Sequence, residues 1–126
     1  MKKIITAPDA PAAIGPYSHA VQVDNLLYAS GQIPLDPVSM KIVEGGIEAE
    51  TRQVMKNIEA VLKAAGLDFS HVVKASIFLA NIADLAAMNS VYAEAFPENP
   101  PARSCYQVAA LPAGAQVEIE VIARFD

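Results

Sequence analysis

Gln116-Val117-Glu118-Ile119-Glu120-Val121-Ile122 alternates apolar and acidic side chains with a period of two, the pattern of a strand with one buried and one acidic face. Both carboxylates then project from the side opposite the core. Ahead of this strand, Leu111-Pro112-Ala113-Gly114 reads as a turn, and Pro101-Ala102-Arg103-Ser104-Cys105 carries a second strand. Arg103 presents a planar, permanently charged guanidinium that can hold a carboxylate through two parallel hydrogen bonds. An arginine grip and a strand-borne glutamate make a candidate site. The plainer reading is a surface ion pair between Arg103 and a glutamate, and these residues alone leave both open.

Working back along the chain, Val72 to Ala80 reads as a strand, with Val73, Ala75, Ile77 and Leu79 on one face and Val72, Lys74, Ser76, Phe78 and Ala80 on the other. Two helices flank it. The first runs from about Glu48 to Ala65 on the stripe Val54, Ile58, Val61, Leu62 and Ala65, with Gly66 suited to its left-handed C-terminal position. Its wet face offers the i,i+4 pairs Glu48–Arg52 and Glu59–Lys63. The second is capped by Asn81, carries Asp84 in its first turn, buries Leu85, Met88, Tyr92, Ala95 and Phe96, and stops at Pro97. Asn89 lies at the border of that stripe, where an amide either reaches a site or faces water.

Pro8, Pro11 and Pro16 make the first sixteen residues an extended arm, with a short strand near Lys3. A hairpin follows, Tyr17 to Val23 and Leu26 to Ile33, turned by Asp24-Asn25. Ser30-Gly31-Gln32 ends its second strand, either as a simple bulge or as the lining of a pocket. The order is ββαβαββ in a single domain, residues 1–126, without repeat or linker. An α+β sheet of five to six strands with two helices on one face is expected. The other face would mix Phe78 and Ile122 with Ser76, Glu118 and Glu120, too apolar for water alone, so self-association is expected to cover it.

Composition excludes several classes. The single Cys105 forms no internal disulfide, and no Cys/His cluster has zinc-like spacing. The apolar start after Met1-Lys2-Lys3 is too short for a signal peptide and no later run suits a membrane, so a cytoplasmic protein is expected. With 14 acidic against 9 basic residues the net charge is −5, and the cations are scattered, which disfavours nucleic acid as a partner.

Gly15-Pro16-Tyr17, Ser30-Gly31-Gln32-Ile33-Pro34, Asn89 with Tyr92, Pro101-Ala102-Arg103-Ser104-Cys105 and Val117-Glu118-Ile119-Glu120 together closely resemble the Rid family of reactive intermediate deaminases, across essentially the whole chain. The resemblance implies a chorismate-mutase-like α+β fold, related to the ferredoxin-like arrangement, and a homotrimer with sites at its subunit interfaces. It implies hydrolysis of 2-imino acids such as 2-iminobutanoate and 2-iminopropanoate, without a cofactor. By the same resemblance Arg103 binds the substrate carboxylate, Cys105 is the site cysteine and Glu118 directs water, while Tyr17, Ser30, Gly31 and Asn89 line the pocket. Tyr106 and Gln107 depart from the aliphatic and acidic residues of relatives, which bears on fine specificity.

The chemistry is coherent on its own terms. An imino acid needs a carboxylate grip, a placed water and a group that passes protons to departing ammonia, and Arg103, Glu118 and nearby hydroxyls can supply them. A nucleophilic Cys105 would need a paired base from His19 or His71. His19 is expected to be structural or superficial and His71 to be solvated. Competing readings are a mutase on the same fold, a ligand-sensing or protein-protecting trimer, and the RNA cleavage attributed to some relatives.

Overall fold

The computed structural model describes all residues, Met1–Asp126. Its main elements are β1 (Lys3–Ile5), β2 (Ala20–Val23), β3 (Leu26–Ala29), α1 (Gly46–Ala64), β4 (Val72–Leu79), α2 (Leu85–Tyr92), β5 (Ala102–Gln107) and β6 (Val117–Arg124). The strands form one mixed sheet in the order β1-β2-β3-β6-β4-β5, antiparallel except for the β4–β5 pair. This is the expected α+β arrangement, with both helices on one face.

The alternation in β6 decides the layering. Val117, Ile119, Val121 and Ala123 are buried against α1, while Glu118, Glu120, Ile122 and Arg124 face the other way. With Ala75, Ile77 and Leu79 of β4 and Val54, Ile58, Val61, Leu62, Met88 and Tyr92 of the helices they form the core. Each aliphatic side chain fully withdrawn from water contributes about 1.5–3 kcal/mol. The opposite sheet face carries no helix.

Four details depart from expectation. The hairpin strands are shorter than Tyr17–Val23 and Leu26–Ile33, because the chain bulges after Ala29: Tyr28 pairs with Ile122 but Gln32 pairs with Ile119, leaving one extra residue on the β3 side. A second irregularity between Val72 and Lys74 turns Val72 into the core and Val73 out to 44% exposure, reversing the expected start of β4. Arg52 pairs with Glu94 at 2.8 Å across the helices, not with Glu48 one turn away, since packing brings the more distant carboxylate into line. His71 is not free in solvent: its ring nitrogens lie 3.1 Å from Asp68 and 3.2 Å from Asp126, and the Asp126 contact holds its pKa above the ordinary value.

Candidate active site

Glu118 sits on the helix-free face at the wall of a cavity of about 620 Å³, which Tyr17, Ser30, Gly31, Ile33 and Met40 also line. Three devices that fix the backbone build this wall. First, the bulge after Ala29 sets Gly31 directly beneath the Glu118 carboxylate. A Cβ at Gly31 would overlap Glu118 Oε2 and lie 2.9 Å from its Cδ, so any larger residue there would push the Glu118 carboxylate out of its present position. Second, Asn57 of α1, almost fully buried, donates to the carbonyls of Ile33 (3.2 Å) and Leu35 (3.0 Å) and fixes the segment beyond the bulge.

Third, buried His19 ties the N-terminal arm to the sheet. Its Nδ1 accepts from the Ala7 N–H at 2.9 Å, which leaves Nε2 to donate to the Pro11 carbonyl at 2.8 Å. The arm thereby places Pro11, Ile14 and Tyr17 over the cavity. Ser30 locks the same junction, its N–H donating to His19 O (2.9 Å) and its hydroxyl to Ser18 O (2.7 Å). The serine hydroxyl keeps only acceptor capacity for a ligand. Burial, and next the like charge of Glu120, push the Glu118 carboxyl above its ordinary pKa, so it takes up a proton more readily than a solvated glutamate.

Arg103, Cys105 and Asn89 lie elsewhere. Arg103 shares its row with Ala75 and Val121, so it stands on the helix-bearing side of edge strand β5. Its Nη1 donates to Asn89 Oδ1 at 2.7 Å, and its guanidinium carbon lies 5.1 Å from the centre of the Tyr92 ring. Cys105 shares its row with Ile77 and is partly buried; burial pushes its thiol up in pKa, and Arg103 opposes the shift more weakly. Both ring nitrogens of His19 and of His71 are engaged by other groups, so within the chain no histidine pairs with Cys105 as a base.

The candidates therefore fall into two sets: Tyr17, Ser30, Gly31 and Glu118 around the cavity, and Arg103, Asn89 and Cys105 at the β5 edge. Two strand spacings, about 10 Å, and three residues along the strands, again about 10 Å, separate Arg103 from Glu118. They also lie on opposite faces of the sheet. One chain does not bring the cation to the acid.

Comparisons with known proteins place this arrangement. The family described as Endoribonuclease L-PSP matches residues 7–125. The chain belongs to the L-PSP, or Rid, family. A goat protein named 2-iminobutanoate/2-iminopropanoate deaminase is 54% identical over 98% of this chain and 90% of its own length. The human protein of that name is 50% identical with the same coverage. A crystal structure of RidA from the Antarctic bacterium Psychrobacter sp. superposes with a TM-score of 0.94 at 44% identity, covering 98% of this chain and 99% of that one.

Three buried polar residues of this L-PSP family member escaped the sequence reading, and two of them, Glu50 and Asn57, help position the site. Glu50, Thr51 and Asn57 are buried in α1. Glu50 accepts from the backbone N–H (2.8 Å) and side-chain amide (2.6 Å) of Gln116, anchoring the entry to β6 just before Glu118. The signal was present, because Glu50 lies four residues before Val54 on the apolar stripe. Gln107 accepts from the Ile82 N–H at 2.9 Å, while Tyr106 stands 58% exposed on the helix-free face, in the row that also holds Phe78 and Glu118. No group of three or more His, Cys, Asp or Glu converges to hold a metal ion, and no helix is long and apolar enough to cross a membrane.

Proposed function

We propose that this chain hydrolyses small 2-imino acids, 2-iminobutanoate and 2-iminopropanoate among them, to 2-keto acids and ammonia, at sites completed between subunits of a homotrimer. The observation that carries the proposal is the division of the candidate set. A cavity with a proton-accepting carboxylate lacks a cation, a pinned arginine stands at the β5 edge away from it, and cyclic assembly that seats the β5 edge of one subunit against the cavity of the next would join one to the other. The goat and human relatives bear the name of this activity at half identity or better over nearly the whole chain.

In the proposed reaction Arg103 of one subunit holds the substrate carboxylate, and Asn89 and Cys105 shape that end of the site. Glu118 of the neighbour orients a water against the imine carbon and accepts its proton as the new C–O bond forms. The nitrogen is protonated in turn, the C–N bond breaks as the carbonyl forms, and ammonia leaves. Every atom comes from imine and water, so the reaction as proposed draws on no cofactor. Arg103 as the one cation in the Pro101–Cys105 motif suits a monocarboxylate better than the dicarboxylate of a mutase, and a net charge of −5 with scattered cations counts against RNA.

The test is a coupled assay in which an amino-acid oxidase generates 2-iminobutanoate and semicarbazide traps what remains. The protein is expected to lower trapped imine in proportion to its concentration; no change over buffer sinks the proposal. Light scattering is expected to give roughly three times the 13.3 kDa chain mass, and a stable monomer would remove the shared site.

A further inference from the structure

Arg103 is exposed and sits on an edge strand, where a long side chain normally samples many rotamers. Here two contacts from α2 arrest it. Asn89 takes one terminal N–H at 2.7 Å, and Tyr92, three residues on and so on the same helix face, places its ring 5.1 Å from the guanidinium carbon. Tyr92 is itself immobile: it is 6% exposed and packs against Phe96 with ring centres 4.9 Å apart. Its hydroxyl is buried without a hydrogen-bond partner, so no bond from the oxygen holds the ring where it is. The ring face is the part that meets the cation.

We infer that Tyr92 is a positioning residue, whose ring face, with the Asn89 amide, orients the Arg103 guanidinium so that its remaining N–H groups stay free to receive a ligand carboxylate in one plane. The ligand's identity rests on the hydrolase reading above, whereas the clamp requires only a carboxylate.

The experiment measures imine turnover together with binding of 2-oxobutanoate, which keeps the carboxylate but lacks the imine. Tyr92→Phe retains a ring face and removes the unpartnered hydroxyl, so KM and Kd should stay within about twofold of wild type while the melting temperature rises. Tyr92→Leu should raise KM and the 2-oxobutanoate Kd about five- to tenfold, with kcat within about threefold. In an Arg103→Ala background the same Leu substitution should add no further loss, a coupling that general damage to the core would not produce. Wild-type affinity in Tyr92→Leu, equal losses in the Phe and Leu variants, or an undiminished loss in the Arg103→Ala background would each overturn the clamp. If Tyr92→Leu fails to fold, proton NMR of the wild type decides: Arg103 side-chain protons shifted upfield by the ring support the clamp, and random-coil positions overturn it. Binding of 2-oxobutanoate with the predicted variant pattern but without imine turnover would remove the hydrolase reading and still support the clamp.

Discussion

The cavity around Glu118 and the edge around Arg103 are built by different means. Backbone placement makes the first: a bulge, a glycine whose Cβ position the Glu118 carboxylate occupies, and an arm fastened by His19 through bonds to Ala7 and Pro11. Side chains make the second, an exposed arginine steadied by an amide and a ring from one short helix. The acid is thus held among backbone segments that long-range pairing fixes, and the cation by the register of β5 on β4 together with two side chains of α2. Each half is rigid where the other is open, and neither holds a charge to neutralise its own.

The largest effect should separate two like residues within the first region. Glu118→Gln keeps shape but loses the proton acceptor, so kcat for imine hydrolysis should fall by about 10² to 10⁴, whereas Glu120→Gln on the same face should change it little. Steady-state rates in the coupled assay check this, and comparable losses in both variants would make the acidic pair structural. In the second region Arg103→Lys replaces a two-pronged donor with a point charge, and kcat/KM should fall about 10- to 100-fold, mostly through KM. Turnover close to wild type would remove the grip.

Mixing the two damaged proteins tests the separation itself. If each site takes Glu118 from one subunit and Arg103 from the next, trimers reassembled from equal amounts of Glu118→Gln and Arg103→Lys should recover about a quarter of wild-type activity, because one ordered pair in four has both native residues. Recovery of nothing above the separate variants would return both residues to one chain.

The smallest effect is on stability. The raised Glu118 carboxyl favours the folded state only while protonated, so its contribution is complete below the ordinary glutamate range and is lost as pH rises through the raised value. Melting curves of wild type and Glu118→Gln should therefore lie together in acid and separate toward neutral pH, with the variant the more stable. A gap that widens instead on acidification would reverse the assigned cause.

Much of this was legible in the residues because period and punctuation agree. Val117 to Ala123 alternates cleanly, Gly66 ends α1 at a φ of 78°, and Pro97 closes the second helical segment, so the α+β layering follows from pattern. What resisted reading were features that a single inserted residue or a distant partner decides. The irregularity at Val72–Lys74 inverts two valines of equal hydrophobicity, and nothing local marks it. Ala102 to Gln107 shows no alternation, so its sequence does not say which face receives Arg103. That face follows only from the parallel register with β4, and with it the separation from Glu118. Glu50 and Asn57 were passed over because a polar residue on an apolar stripe looks like its boundary until its partner, Gln116 or Ile33, is known.

The bulge after Ala29 also has a bearing on when the cavity comes into being. Gln32 meets Ile119 only after the early hairpin has found a strand about two-thirds of the chain away, and closing a loop of that length costs about 4 kcal/mol beyond a constant. The pairing of β4 with β6 spans a much shorter loop and can precede it. Gly31 then slides beneath Glu118 at the step that completes the sheet, so the floor of the cavity is a late folding product. Pulse-labelled amide exchange during refolding should show protection at Ile77 before Gln32, and the opposite order would place the hairpin in the nucleus.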